Sequence, residues 1–236
     1  KEFIKKYEEF NKYSYDDQIS NLYKFSRNLL NYRENDTNQN SRYMRGRSYS
    51  LNLISSILHE DTEFKKNIIK LLDKIDLPFN IQTTTDDKGN INLGFSNKKI
   101  QKSQKEIPLE QSGNALQSLL NLIIDLMRSD KETIIIEEPE NKIHPKIQGN
   151  LIELITEIIK QNNNQTIIET HSEHFILRIQ KLIREKKISP NLVAINYVHL
   201  DETGEGSKID HMKLDENGKF LNKWRHGFFN ERLKEI

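Results

Sequence analysis

Cysteine is absent from these 236 residues, which excludes disulfide bridges and thiolate metal sites and makes a cytoplasmic setting the default expectation. Long hydrophobic runs are missing too. No window approaches the roughly 18 apolar residues of a membrane span, and the first residues lack a basic-then-apolar signal pattern, so no membrane partner is expected. Neither sign of charge dominates: 36 Lys and Arg stand against 35 Asp and Glu. The whole-molecule field therefore does not select a polyanionic partner, and only local patches could. Internal repeats, heptads and low-complexity segments are absent as well, which excludes solenoids and coiled coils.

What remains is a chain long enough for one large or two small domains with a genuine core. Residues 1 to about 33 space Phe3, Tyr7 and Phe10, then Ile19, Leu22, Tyr23, Leu29 and Leu30, as two amphipathic helices would. Glu34 to Gly46 ("ENDTNQNSRYMRG") has the Asn-, Asp- and Ser-rich composition of a loop. Tyr49 to Ile75 reads as helix, closed by Pro78, and Phe79 to Phe95 as a β-hairpin around "DDKGN". A lysine-rich connection follows. Gly113 to Met127 is a strongly apolar helix, Lys131 to Ile136 a short buried strand, and Pro145 to Lys160 a helix with proline at its first turn. Gln165 to Thr170 is the next strand. Ser172 can cap a further helix, and Leu192 to Leu200 is another strand before a tail that suggests a hairpin and an aromatic cap. Strands alternating with helices of this length imply an α/β fold, a mostly parallel sheet covered by helices, with a helical and hairpin insertion on the N-terminal side.

In an open parallel sheet, ligands sit beyond the C-terminal strand ends. Here those ends carry Glu137, Glu138 and Glu140 after "TIII", and Glu169, Thr170 and His171 after "QTII". Adjacent glutamates repel one another and lose solvation, a situation that a divalent cation relieves. In phosphoryl transfer one carboxylate holds Mg²⁺ and the next orients and deprotonates water. Glu137 and Glu138 suit those two tasks in that order.

The segments "IIIEEPENKIHP" and "TIIETHSEHFILRI" resemble the Walker B, D-loop and switch-histidine regions of ABC-type ATPases, in the branch of OLD-family, RecF-like and related AAA-type proteins. The nearest likeness is to bacterial ATPases that end in a "GFF" motif, here Gly227, Phe228 and Phe229. The resemblance implies that Glu137 stands for the Walker B aspartate and holds the metal, that Glu138 is the catalytic glutamate, and that His171 contacts the γ-phosphate. Asn141 and His144 bound the D-loop position. "LEQSGNALQSLL" resembles a degenerate signature whose Ser112 and Gly113 open a helix toward a phosphate of the opposite subunit; an ordinary helix cap accounts for that pair equally well. ATP and Mg²⁺ are the implied cofactors, and a second copy of the chain, joined on ATP, the implied partner. DNA or a partner nuclease in antiphage defence is implied beyond that.

On this resemblance the chain divides into an arm or lid at 1–104, an ABC-like core at 105–200 and a hairpin with aromatic cap at 201–236. No G-x-x-x-x-G-K-[ST] phosphate loop occurs; the one Gly-Lys, Gly218-Lys219, is followed by phenylalanine. Since the chain opens on Lys1, that loop is expected on an upstream segment, with a degenerate, inactive relative as the other explanation. A different function class stays open: a metal-dependent nuclease or phosphohydrolase in which Glu137, Glu138, Glu169 and His171 bind metal directly. A non-catalytic scaffold is a third. Arg42, Arg45 and Arg47 could meet phosphate or simply solvent. Trp224, Phe228 and Phe229 could stack on bases or pack the cap.

Overall fold

The computed structural model describes residues 41–44, 51–99, 106–201, 203, 204 and 206–225. The two N-terminal helices expected over residues 1 to 33, Arg45 and Arg47, and the "GFF" motif lie outside these. Two compact units divide the chain, Lys1–Tyr43 and Met44–Ile236. Strand β1, Ser41–Met44, lies in the stretch expected to be a loop, because strand formation follows from neighbours more than from composition.

The second unit begins with two helices, α1 (Leu51–Glu60) and α2 (Thr62–Lys74), where the sequence reads as one helical span. Asp61 makes the break. Its backbone is extended and its side chain accepts a 2.8 Å hydrogen bond from the N–H of Phe64, capping α2 instead of continuing α1. Ile54 and Leu58 of α1 and Ile68 and Leu72 of α2 are fully buried, facing a hairpin of β2 (Phe79–Thr85) and β3 (Ile91–Asn97) that contributes Ile81, Leu93 and Phe95. The expected turn "DDKGN" closes it: Asp86 accepts from the N–H groups of Lys88 and Asn90, and Gly89 takes the left-handed conformation. A two-residue strand β4 (Ile107–Pro108) pairs with the other side of β3.

Helix α3 (Asn114–Arg128) buries Leu119, Leu120, Leu122, Ile123, Ile124 and Leu126 together with the polar Asn121 and Asp125, so its middle is enclosed on nearly every side. Strands β5 (Thr133–Glu137) and β6 (Gln165–Glu169) then pair in parallel, joined by α4 (Pro145–Gln161), and α5 (Glu173–Arg184) follows β6 and packs on α4. This is the parallel α/β core expected from the alternation of elements.

The register is set at the far end from the candidate site. Asn162 donates to the carbonyls of Leu126 and Ser129, Asn164 donates to the Ser129 hydroxyl at 2.7 Å, and the N–H of Glu132 donates to the Asn164 side chain at 2.9 Å. These short amides tie the entry of β5 to the entry of β6. Thr133 is thereby placed opposite Gln165 and, four residues on, Glu137 opposite Glu169.

Strand β7 (Ile195–Leu200) departs from the alternation. It pairs antiparallel with β8 (Ser207–Met212) in a separate two-stranded sheet, since a short turn lets consecutive strands meet without a crossover. Trp224 meets Tyr197 and Phe220 edge-on at 5.2 and 5.0 Å, so the tryptophan packs the cap. No helix among the described residues is long and apolar enough to cross a membrane.

Candidate functional site

The exit of β5 and the exit of β6 form one edge. The parallel ladder continues one step past the strands, where the N–H of Glu138 donates to the carbonyl of Glu169 at 2.9 Å. There the backbone turns sharply: Glu138 has φ 43°, a left-handed conformation that costs a non-glycine residue on the order of 1 kcal/mol. The turn closes when the N–H groups of Asn141 and Ile143 donate to the carbonyls of Glu138 and Glu140, both at 3.0 Å. Glu138 is thereby presented at the edge, with Oε1 3.4 Å from Nε2 of His171. Both are accessible, the histidine side chain 77% and the glutamate 46% exposed.

Glu137 sits one residue inside. Burial, then the neighbouring carboxylates of Glu169 and Glu138, push its carboxyl above the ordinary glutamate range. A cation at this point would offset all three effects. Mg²⁺ takes few protein ligands, one or two carboxylates completed by water and phosphate oxygens, so a single strained carboxylate fits it. Among the described residues no group of three or more His, Cys, Asp or Glu side chains forms a complete protein cage.

Glu140 has a different role from its neighbours. It is buried, and its Oε1 accepts hydrogen bonds from the Thr170 hydroxyl at 2.6 Å and from the N–H of His171 at 2.7 Å. The sequence places Glu140 at the strand end but gives no sign that it points inward; the signal lies in contacts some thirty residues apart.

Asn141 follows in the turn, and His144 caps α4, its Nδ1 accepting from the N–H of Lys146 at 3.2 Å. Ser172 caps α5 as its sequence position suggests, accepting from the N–H of Phe175. Ser112 and Gly113 stand elsewhere in the chain, at the start of α3. Gly113 has φ +84° and open space where a Cβ would lie, while the Ser112 hydroxyl donates to the carbonyl of Leu109 at 2.7 Å. Thus β5, β6 and the turns after them gather Glu137, Glu138, Glu169 and His171 at one edge, with Asn141 and His144 in the turn and cap that follow β5.

Residues 1–176 of the chain match the family described as AAA ATPase domain. An ATP/GTP phosphatase of Helicobacter pylori (strain ATCC 700392 / 26695) is 31% identical over 91 residues, which are 37% of this chain and 25% of that protein, so the match spans a quarter of the relative's length. Among solved structures, an SMC ATPase chain studied for ATP-driven dimerization and DNA-stimulated activation superposes with a TM-score of 0.48 at 11% identity, covering 68% of this chain and 89% of that one. The Smc head domain of Pyrococcus furiosus bound to the C-terminal domain of ScpA gives 0.47 at 12% identity, covering 67% and 37%. With the family match running over 176 of the 236 residues, the chain belongs to the AAA ATPase domain family.

Proposed function

We propose that the edge formed by β5 and β6 is the hydrolytic half of an ATPase site. One observation carries this reading: the parallel register and the left-handed turn at Glu138 bring an accessible carboxylate to 3.4 Å from an accessible imidazole, directly beside the strained carboxylate of Glu137. Glu138 is the base, accepting a proton from the attacking water at its exposed carboxylate. His171 directs Nε2 across the same opening, where it can donate to a terminal phosphate oxygen. Glu137 is the metal-side carboxylate, held back from the opening by its position within the strand. Mg²⁺ with ATP, when bound, supplies the electrophilic phosphorus and the neutralising charge.

The phosphate cradle belongs to residues outside these 236, because the sequence contains no G-x-x-x-x-G-K-[ST] loop. Within the family we place the chain in the OLD and RecF-like branch with the terminal "GFF" motif, its arm at 1–104, core at 105–200 and cap at 201–236. Ser112 and Gly113 are assigned to the nucleotide of a second copy, so that two chains close on ATP, and Asn141 and His144 to nucleotide binding at the D-loop position. Coupling to DNA or to a partner nuclease in antiphage defence is the cellular role we attach to it. The alternative reading, a metal-dependent nuclease or phosphohydrolase, would use the same Glu137, Glu138, Glu169 and His171, and it predicts phosphodiester cleavage with Mg²⁺ or Mn²⁺ and no nucleotide.

The test is hydrolysis of ATP with Mg²⁺ by the full-length protein and by Glu138→Gln, which keeps size and hydrogen bonding but removes the base. The variant is expected to lose about 10²-fold or more in kcat while still binding ATP. Equal rates would overturn the assignment of Glu138. Absence of ATP binding by either protein would overturn the ATPase reading itself.

A further inference from the structure

The imidazole of His171 is too exposed to be held by packing, yet it stands at Glu138. Apart from that contact, the segment that carries it is placed by the backbone N–H of His171, which donates to Oε1 of Glu140. The same oxygen accepts from the Thr170 hydroxyl, and Thr170 in turn accepts from the N–H of Ser172 at 3.0 Å. The Ser172 hydroxyl donates to the Gln148 side-chain oxygen at 2.6 Å, and the Gln148 amide donates to the carbonyl of Ile143 at 2.8 Å. The N–H of Ile143 returns to the carbonyl of Glu140 at 3.0 Å. This is a closed circuit through the turn after β5, the first turn of α4 and the cap of α5. It makes the two strand exits one body.

The circuit centres on a carboxylate, which is costly to bury unless its bonds are strong. Only 8% of Glu140 is exposed, and its second oxygen, Oε2, is buried without a hydrogen-bond partner. A side chain serving the fold alone would do better as an apolar residue or as a fully satisfied amide. Two short bonds concentrated on one oxygen, both reaching the segment that carries His171, point to placement of that segment.

We infer that Glu140 is a positioning residue, one that sets His171 against Glu138 through Thr170 and the His171 N–H. The inference rests on the reading of Glu138 and His171 as the working pair, and two readouts separate its fate from that reading. The first needs no nucleotide. Amide hydrogen exchange at His171 is expected to speed up at least tenfold in Glu140→Ala and in Thr170→Val, and to remain slow in Glu140→Gln, which keeps an acceptor. Protection equal to wild type in both Ala and Val variants would overturn the inference.

The second readout is steady-state hydrolysis of Mg²⁺-ATP by the full-length protein. Glu140→Ala is expected to lower kcat about 10- to 100-fold with KM within about twofold, and Glu140→Gln to recover most of that loss. Because the effect runs through His171, the double variant Glu140→Ala/His171→Ala should be no slower than His171→Ala alone. Losses that multiply would show an independent role and overturn the inference. If Glu140→Ala does not fold, Thr170→Val in the same cycle decides by the same criterion. A His171→Ala protein that hydrolyses at the wild-type rate would instead refute the catalytic pairing, and amide exchange would still decide the placement by Glu140.

Discussion

Glu137 carries the clearest electrostatic conflict in the site. Its folded-state pKa lies above the ordinary value of 4.5, through burial first and then through Glu169 and Glu138, so the native chain binds this proton more tightly than the unfolded chain does. The contribution to stability is therefore most favourable below about pH 4.5 and declines as pH rises through the folded-state value. Replacing the carboxylate with an amide removes that decline. Glu137→Gln is expected to melt higher than wild type at pH 7 without divalent cations, by on the order of 2 °C, and to match it near pH 4. Millimolar Mg²⁺ should raise the wild-type melting temperature more than the variant's, and calorimetry at two pH values with and without EDTA checks both statements. A wild type that gains nothing from Mg²⁺ would remove Glu137 from the metal site.

At the scale of elements, α4 and α5 are joined by a clasp on the side away from the strand exits. Arg178 donates to Glu153 at 2.5 Å and to the Asn150 side chain at 3.1 Å, passing over Gly149, where a Cβ would come within 3.0 Å of the guanidinium. Lys187 reaches the other oxygen of Glu153 at 2.7 Å. Hydrogen bonds from Lys187 first, and then from Arg178, hold the Glu153 carboxyl below the ordinary glutamate range. A lowered pKa stabilises the fold above the unfolded value and is lost as pH falls through the folded one. Glu153→Gln should then cost about 1 kcal/mol at pH 7, and the difference should shrink as pH falls below the ordinary glutamate value and through the lowered folded-state one, as read by urea denaturation across that range. The helices themselves are legible in the sequence, because the Ser172 cap, Pro145 in the first turn of α4 and the isoleucine runs of β5 and β6 are local signals. The break at Asp61 is not legible there, because aspartate inside an apolar period reads as a surface residue and only its bond to the N–H of Phe64 marks the cap. The candidate site divides the same way. Glu137, Glu138 and His171 could be found from their strand-end positions, while the inward turn of Glu140 and the left-handed Glu138 depend on a register fixed by Asn162 and Asn164 at the opposite end of the strands.

For the whole molecule, the least legible feature was the destination of the C-terminal strands. Composition marks Ile195–Leu200 as a strand but cannot say whether it extends the parallel sheet or turns back on β8, and the chain does the latter. What holds the following segment to the parallel core is a close backbone approach. The turn Asp215–Lys219 is pinned by Asp215, which accepts from the N–H groups of Asn217 and Lys219, and Gly218 at its tip has φ +72°. A Cβ on Gly218 would lie 2.3 Å from the carbonyl oxygen of Gln180 in α5, and the Gln180 side chain donates to the Gly218 carbonyl at 2.7 Å. Lys186 adds a bond to the carbonyl of Glu216 at 2.8 Å. Glycine is required twice here, for the backbone conformation and for the contact with backbone that cannot move aside. Gly218→Ala should therefore destabilise the protein by about 2 kcal/mol or more and release the turn from α5. Gln180→Ala removes the hydrogen bond but leaves room, so it should cost only about 1 kcal/mol. Denaturant melts of the two variants, with amide exchange at Asn217 and Lys219, decide the matter: equal costs would mean that the hydrogen bond, and not the close approach, attaches the cap to the core.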